Sequence, residues 1–443
     1  MDSDLRPGHD DPDDASDRAA PTVGERMLGT ATRLYPILRS ITGPGLRETL
    51  RIIGEDLPLT VTEVPTGTRV LDWEVPREWT LREAWIRDPA GRTIVDVRHC
   101  NLHVVNYSTA VRASMPLAEL RKHLFSLPDR PKWIPYRTSY YDDAWGFCLA
   151  HEQLESLPDG LYEVCIDASL APGSLSYGEF LLPGDSPDEV LISCHVCHPS
   201  LANDNLAGIA VAIELARALR ARPRRRLSYR FVFVPVTIGS ISWLAVNEAG
   251  LGRIRHGFVI SCAGDAGAST YKQSRRGDAM IDRAFANVLA HAGSPHSIEP
   301  FSPYGYDERQ YCSPGFDLPV GCIMRTPNGR YPEYHTSADD LAFIRAEAMT
   351  DTLAKCMAAV DVLEHNAKYL NLFPRGEPQL GRRGLYQALG SAPQPRQLQM
   401  AMLWVLNQSD GRCDLLEIAE KAGMSFALIH QAASLLLEHQ LLR

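Results

Sequence analysis

Two side chains that bind metal ions well, His198 and Asp204, lie in one short loop between a predicted strand and a predicted helix. The apolar run Val190–Ser193 predicts the strand, and the amphipathic pattern Leu206–Arg220 predicts the helix. An imidazole and a carboxylate are good ligands of Zn²⁺, whose catalytic sites leave one position open to water. The same residues are also typical of a backbone-bonded histidine and a helix N-cap. The pair alone therefore leaves both interpretations open.

A third ligand is predicted at His335, in the segment Tyr334–Asp340 that follows the predicted strand Leu318–Met324. The loops after parallel strands meet at one edge of a sheet, so His335 is expected beside the first loop. Asp339 or Asp340 is placed to accept the second ring N–H of His335 and so to orient its other nitrogen toward an ion. The sequence thus predicts one metal site built from two separate loops.

Further candidates for this site are one imidazole and several carboxylates. His195 competes with His198 for the first ligand position, and Asp265 directly follows a predicted strand at the same edge. Asp307 and Glu308 place two more carboxylates on this rim. Each carboxylate is equally typical of a structural hydrogen-bonding role, and this alternative stays open.

The segment Cys194–His198 matches the C-x-x-C-H pattern of covalent haem attachment. That attachment takes place outside the cytoplasm, and the N-terminus has neither the basic nor the apolar region of an export signal. A Cys-x-x-Cys zinc site would need a second pair of similar spacing, and none follows in the sequence. We therefore expect a cytoplasmic protein whose thiols are reduced packing residues.

The elements that must position these residues alternate between strand and helix from Glu189 to Leu370. This alternation predicts an α/β fold with a mainly parallel sheet and helices on both faces. Short β-branched and aromatic runs before it predict a mostly β domain, and three short helical patterns after the linker Pro374–Arg396 are typical of a winged helix. The predicted divisions are a disordered acidic tail at 1–21, core helices at 22–58, the β-rich domain at 59–167, the α/β core at 168–373 and the winged-helix-like domain at 391–443.

The charge balance argues against a protein that works by neutralising nucleic-acid phosphates. The chain has 45 Lys and Arg against 54 Asp and Glu, a formal net charge of -9. From Ser391 onward it has four basic and five acidic residues, and the last helical pattern, Phe426–Leu437, has no Lys or Arg. We predict that this domain contacts protein, including a second copy of the chain, rather than DNA. No stretch approaches eighteen apolar residues, so no membrane segment is expected.

From about Arg39 onward the chain resembles the aminopeptidase-like proteins found among bacterial polysaccharide and natural-product genes. Their core is similar to the zinc aminopeptidases and glutaminyl cyclases. The resemblance implies a zinc ion held by His198, Asp204 and His335, a β-rich lid and a C-terminal winged helix. It rests on the motifs Asp72–Pro76, Ser139–Tyr141, Trp145–Cys148, Cys197–Gly208, Thr237–Ser240, Asp307–Tyr311 and Tyr334–Ser337.

One departure from the zinc aminopeptidases concerns their catalytic base. In that family two adjacent glutamates follow the second core strand; the first is the general base and the second binds a metal. Here the corresponding residues are Val236 and Thr237, and valine cannot take a proton. A general base typically contributes about 10²- to 10⁴-fold to the rate. Glu308 and Glu333 are the predicted catalytic replacements, with Asp265 as a further candidate.

The leading hypothesis is a metal-dependent hydrolase, with Zn²⁺ as its cofactor, that cleaves an amide bond of a small peptide or a modified amino acid. Arg325 or Arg309 would hold a substrate carboxylate through bidentate hydrogen bonds, and Tyr334 would contact the substrate beside the metal. Two alternatives stay open. One is a zinc enzyme that forms or cyclises amides in natural-product biosynthesis, and the other is a catalytically silent binding protein.

Overall fold

The computed structural model describes residues 20–385 and 395–443. The predicted acidic tail therefore lies almost wholly outside the described residues, as does the middle of the predicted linker. Within the described residues no helix is both long and apolar enough to span a membrane.

An eight-stranded sheet forms the centre of the molecule. Its four middle strands run parallel to one another, and antiparallel strands extend the sheet at both sides. The prediction of an α/β fold built on a parallel sheet is confirmed. In spatial order the strands are β1 (Thr60–Pro65), β10 (Ser174–Leu182), β12 (Ser228–Val234), β11 (Glu189–His195), β13 (Ile254–Ile260), β16 (Val320–Met324), β14 (Ser269–Lys272) and β15 (His296–Glu299).

Both faces of the sheet are buried, which is why its middle strands are apolar without alternation. Val190 and Ile192 of β11 pack into one hydrophobic cluster, whereas Leu191 between them packs into a second cluster on the other face. The core helices are α1 (Val23–Leu34), α2 (Pro44–Asp56), α5 (Ala207–Ala221), α6 (Ile238–Asn247), α7 (Met280–His291), α8 (Glu308–Tyr311) and α9 (Ala346–His365). The first cluster contains residues of α1, α2, α5, α7 and α9, and the second contains residues of α6 and the inserted domain.

The inserted domain is built on a four-stranded antiparallel sheet. Its predicted start at residue 59 is wrong, because β1 pairs with β10 of the core sheet. A run of β-branched residues shows that a segment is extended, but not which sheet it joins. The domain's strands and helices are β2 (Arg69–Val70), β3 (Trp73–Glu74), β4 (Glu78–Arg87), β5 (Thr93–Asp96), β6 (Val111–Pro116), α3 (Leu117–Leu120), β7 (Leu124–Phe125), β8 (Phe147–Cys148), α4 (His151–Glu155) and β9 (Leu161–Ala171).

The C-terminal domain packs on the core rather than standing apart from it. Its elements are β17 (Lys368–Leu370), α10 (Pro395–Gln408), β18 (Asp410–Asp414), α11 (Leu415–Ala422) and α12 (Phe426–Glu438), and β17 pairs with β18. Asn287 of α7 donates to the Met424 carbonyl at 3.1 Å and accepts the Phe426 amide at 2.8 Å. Arg283 forms a two-pronged ion pair with Glu420. The first turn of α12 is thereby fixed against the core.

Candidate metal centre

The predicted metal ligands meet at the edge where the parallel strands end. His195 is the last residue of β11, and His198 and Asp204 lie in the loop between β11 and α5. His335 lies in the loop that follows β16. Three ring pairs at this edge are His195–His198 at 5.0 Å between centroids, His198–His335 at 5.3 Å, and Tyr334–His335 at 4.0 Å. The two loops therefore form one site.

The carboxylate of Asp204 lies at the centre of this site and is completely buried. Its Oδ1 atom lies 2.9 Å from Nε2 of His195 and accepts the Tyr306 hydroxyl at 3.0 Å. Its Oδ2 atom lies 3.1 Å from Nε2 of His335. Burial alone raises the pKa of Asp204, but the neighbouring histidines, His198 first, outweigh burial and place the pKa well below its usual range. The carboxylate is therefore ionised and available to a cation.

The imidazole of His198 is neutral at physiological pH. Burial lowers its pKa to about 3, although the charge of Asp204 acts in the opposite direction. One ligand atom each from His195, His198 and Asp204 lie within 4.8 Å of one another. Neutral imidazole nitrogens and a carboxylate are the donors that zinc prefers. The donor set therefore fits a divalent ion such as Zn²⁺.

The hydrogen bonds around His195 indicate which of its nitrogens carries the proton. Nε2 lies 2.9 Å from Oδ1 of the Asp204 carboxylate, which accepts hydrogen bonds when it is ionised. Nδ1 lies 3.3 Å from the Asn205 amino group, which also lies 3.1 Å from the Ile260 carbonyl and 3.2 Å from the Cys194 sulfur. A proton on Nε2 of His195 satisfies both contacts.

Cys197 connects Val236 to the loop between β11 and α5 that carries His198 and Asp204, here called the metal loop. Its Sγ atom accepts the Val236 amide at 3.3 Å and lies 3.7 Å from Nδ1 of His198. A ring N–H of His198 directed at this sulfur leaves Nε2 as the nitrogen free to bind an ion. The Cys197 thiol is fully buried, and burial raises its pKa. Val236 therefore lies beside the loop that carries His198 and Asp204.

The predicted role of Asp339 and Asp340 is wrong. Asp339 accepts the backbone amides of Asn203 at 2.6 Å and Asp204 at 3.1 Å, and Asp340 accepts the amides of Ala342 and Phe343. Neither carboxylate contacts a ring nitrogen of His335 in the described part of the chain. Backbone amides in the loops compete for the same carboxylates, and spacing along the chain does not show which donor prevails. Asp339 instead holds the backbone of the loop that carries Asp204.

Asp265 also supports this loop and shows no contact with the ligand side chains among the described residues. Its carboxylate accepts the Asn203 amino group at 3.1 Å, the Gly267 amide at 2.7 Å and the Thr326 hydroxyl at 2.6 Å. With both oxygens engaged, it is a structural acceptor in this arrangement. Asp265 and Asp339 together fix both sides of the turn before Asp204.

The carboxylates predicted to act as a base do not contact the ligand residues in the described structure. Glu308 is buried and forms an ion pair with Lys272 at 2.8 Å, while Glu333 shows no side-chain hydrogen bond among the described residues. Asp307, next to Glu308, is the other carboxylate predicted on this rim. It accepts the Ser240 hydroxyl at 2.7 Å, and its second oxygen is buried with no hydrogen-bond partner in the described part of the chain. Burial raises the pKa of Asp307 to about 6.

The three predicted substrate residues lie in different surroundings. Arg325 donates to Asp351 at 2.7 Å, so its charge is already paired. Arg309 lies with its guanidinium 6.0 Å from the Tyr304 ring, and its buried Nε atom has no partner in the described residues. Tyr334 stacks on His335 at a centroid distance of 4.0 Å. Tyr334 is therefore the one of these side chains that directly contacts a proposed ligand.

The lid supplies a residue that sequence patterns did not single out. Tyr136 packs edge-on against His198 and His335, with centroid distances of 5.3 and 5.1 Å. Its amide donates to the His335 carbonyl at 2.8 Å, and Ile134 exchanges two hydrogen bonds with Ser337. A tyrosine-rich segment indicates packing, but only the pairing of 134–136 with the His335 loop shows where it packs.

Three of the eight described non-glycine residues with a positive φ lie near this edge of the sheet. Ser200 and Cys262 have φ values of 45°, and His335 has a φ of 55°. Side chains with a Cβ rarely adopt this left-handed region, and such residues are found at functional sites. The strain at these three positions agrees with a functional role for this edge.

Two family models match the chain, one over its core and one over its C-terminal domain. Residues 29–366 match the model of DUF4910, a domain of unknown function, and residues 367–443 match a winged helix-turn-helix model. The first match spans well over half of the chain. The chain belongs to the DUF4910 family.

A curated relative of this DUF4910 chain comes from Clostridium acetobutylicum. It is 44% identical over 421 residues, covering 95% of this chain and 96% of the relative, and is named provisionally as a polysaccharide biosynthesis protein with an aminopeptidase-like domain. A crystal structure from the same organism, provisionally described as a peptidase, is 44% identical with a TM-score of 0.90 over 95% of this chain and 96% of that chain. The predicted resemblance is confirmed.

A zinc aminopeptidase from Bacillus subtilis shares the core fold. It is 15% identical to this DUF4910 chain, with a TM-score of 0.57 over 78% of this chain and 96% of that chain. At this identity the likeness shows the fold alone. The core therefore has a zinc-aminopeptidase-type, hydrolase-like fold, followed by a winged-helix domain.

Proposed function

We propose that this protein is a zinc-dependent enzyme that hydrolyses an amide bond of a small peptide or a modified amino acid. The observation that carries the proposal is the buried, ionised Asp204 surrounded by three imidazoles at the strand ends. A zinc ion held there would polarise the amide carbonyl and lower the pKa of a water molecule. The name of the Clostridium relative favours a biosynthetic setting.

His198, Asp204 and His335 are the proposed ligands, as the sequence predicts. His195 is proposed to donate its Nε2 proton to Asp204 and so to orient the carboxylate, although one of its ring nitrogens, unlike those of His335, belongs to the group of donor atoms that lie within 4.8 Å of one another. His198 and His335 face the same region from two loops, and Tyr136 of the lid packs against both rings. The lid thereby limits the access of water and large substrates to the ligands.

The proton acceptor in the proposed reaction is Asp307 rather than Glu308 or Glu333. Asp307 is hydrogen-bonded to Ser240 in the first turn of α6, the helix that follows Val236, and its second oxygen has no partner in the described residues. Glu308 is instead held by Lys272. The proposed role of Asp307 is to hold the proton that Val236 cannot accept.

The test is product analysis by mass spectrometry after zinc-loaded protein is incubated with a panel of aminoacyl amides and dipeptides. We expect slow release of the free acid and amine, abolished by Asp204→Asn and by chelation. Asp307→Asn should abolish turnover as well, whereas Glu333→Gln should retain it. No cleavage of any amide by zinc-loaded protein, or full activity of Asp204→Asn, contradicts the proposal.

One observation favours a second candidate function, the formation or cyclisation of amides. Val236 is an apolar side chain beside the metal loop, and an apolar wall suits a reaction that must exclude water. The same product analysis, with free amines and acids supplied as substrates, distinguishes the two reactions. Net condensation without hydrolysis assigns this second function.

The C-terminal domain is proposed to contact protein and not DNA. In DNA-binding helix-turn-helix domains, residues at the start of the recognition helix contact the bases. Here the first residue of the corresponding helix, Phe426, donates its amide to Asn287 of the core. We expect the full-length protein to show no sequence-specific binding in a low-salt titration against a random duplex DNA pool. Submicromolar binding that enriches one sequence would overturn this prediction.

A further inference from the structure

We propose that a pocket between the lid and the core is the specificity pocket of this enzyme, and that it takes an uncharged apolar or aromatic group of the substrate. This aromatic pocket is lined by Ile41, Trp73, Tyr140, Tyr141, Val236 and Ile241, together with the start of α6, and has a volume of about 280 Å³. The inference rests on the hydrolase function proposed above and names the substrate class for the same site.

The aromatic pocket adjoins the proposed metal ligands through two contacts. On the core side, the Val236 amide donates to Cys197, whose sulfur lies 3.7 Å from His198. On the lid side, the hydroxyls of Tyr140 and Tyr136 lie 3.1 Å apart, and Tyr136 packs against His198 and His335. A substrate group in the pocket is therefore next to the region that the ligand rings face.

Charge determines what the aromatic pocket accepts. Within the described residues, no Asp, Glu, Lys or Arg lines it. Charged side chains of the lid line a neighbouring cavity that shares Tyr141, and two of them, Arg77 and Asp143, are paired at 3.0 Å. An ionised group that entered would lose its hydration without gaining a partner, whereas an apolar group gains from leaving water.

Two aromatic rings at the mouth of the pocket remain exposed in the free protein. Trp73 and Tyr141 are 50% and 51% exposed, and their ring centroids are 5.7 Å apart. Tyr141 has a φ of 66°, a left-handed conformation that is unfavourable for a large side chain. Exposed apolar surface in a concave position is typical of a ligand site, and the strain fits a role for this ring.

Val236 contributes to this selection. Its uncharged side chain forms part of the wall of the aromatic pocket, and its amide donates to Cys197 beside His198. A residue that cannot accept a proton near the metal ligands therefore also keeps the pocket suitable for an uncharged group.

The test compares the binding of four probes, L-phenylalaninamide, L-leucinamide, L-lysinamide and L-aspartic acid α-amide, by calorimetry. The probes share the amino and amide groups and differ only in the side chain. Each is measured with zinc-loaded and with chelator-treated protein. We expect the first two to bind at least about 10-fold more tightly than the charged pair, and this preference to persist without zinc because the aromatic pocket has no metal ligand.

Two variants test whether Trp73 produces the preference for apolar probes. Trp73→Ala removes an exposed ring, so the fold should persist, and the ratio of apolar-probe to charged-probe affinity should fall to less than about one third of its wild-type value. Trp73→Phe should largely restore this ratio. The matched control is Leu71→Ala, which removes a 44% exposed apolar side chain from the same hairpin and should change nothing. Equal affinities for charged and apolar probes, or the same effect of both alanine variants, overturn the proposal.

The outcomes also separate this inference from the proposed function. Selective binding of phenylalaninamide without any hydrolysis supports the aromatic pocket and contradicts the hydrolase. Hydrolysis with no preference among the four side chains supports the hydrolase and contradicts the aromatic pocket.

Discussion

Wild-type protein is expected to retain a single tightly bound zinc ion per chain, and His198→Ala or Asp204→Ala is expected to lose it while the chain stays folded. Each variant removes one donor from a three-ligand set, and the remaining two do not complete a stable zinc site. The loss of zinc should be greater for the Asp204 variant, because the Asp204 carboxylate contacts the imidazoles of both His195 and His335. Elemental analysis after dialysis measures the ion content, and circular dichroism verifies folding.

His195→Gln distinguishes a ligand from a positioning residue. Glutamine can still donate to Asp204, so we expect the variant to retain zinc with an affinity lowered by about 10- to 100-fold. His256→Gln is a matched control, because it changes a partly buried histidine on β13 that shows no contact with the proposed ligands in the described residues. Two ions per wild-type chain, or complete zinc loss from His195→Gln with full retention by His198→Ala, contradicts the proposed ligand set.

Wild-type protein is expected to cleave simple aminoacyl reporter substrates weakly, because Asp307 shows no contact with the proposed ligands in the described residues. Val236→Glu is expected to raise that cleavage by about 10²-fold, since it adds a better-placed base. The Val236 amide lies at the metal loop, so a carboxylate on this residue is placed near the proposed reacting region. The initial rates of wild type and variant, at matched zinc occupancy, measure the gain. Val236→Leu is the control, since it changes the size of the side chain without adding a base.

The gain depends on which residue accepts the proton in the wild-type protein. If Asp307 does so, Asp307→Asn should abolish the residual wild-type activity, and Val236→Glu should rescue part of it in the double variant. If Glu308 or Glu333 does so, its change to Gln should abolish turnover and Val236→Glu should alter the wild-type rate little. Robust wild-type cleavage, at rates of about 1 to 10³ per second, contradicts the expectation outright.

Sequence patterns predict the core well because its elements depend on local periodicity. The apolar runs of β11 and β12 and the amphipathic pattern of α5 indicate their structure without any knowledge of neighbours. The same holds for α2, which begins at Pro44, a residue that suits the first position of a helix. The assignment of β1 to the lid was wrong because pairing with β10 joins segments more than a hundred residues apart.

The sequence by itself determined the fold class, the order of the elements and the two loops that hold His198, Asp204 and His335, because strand ends and residue types are local properties. Only the tertiary structure decided how these side chains are used. Asp204 lies between the imidazoles of His195 and His335, and Asp339 binds loop amides rather than an imidazole. Hydrogen-bond partners are chosen by proximity in space, where buried donors and acceptors compete, and spacing along the chain does not record that competition.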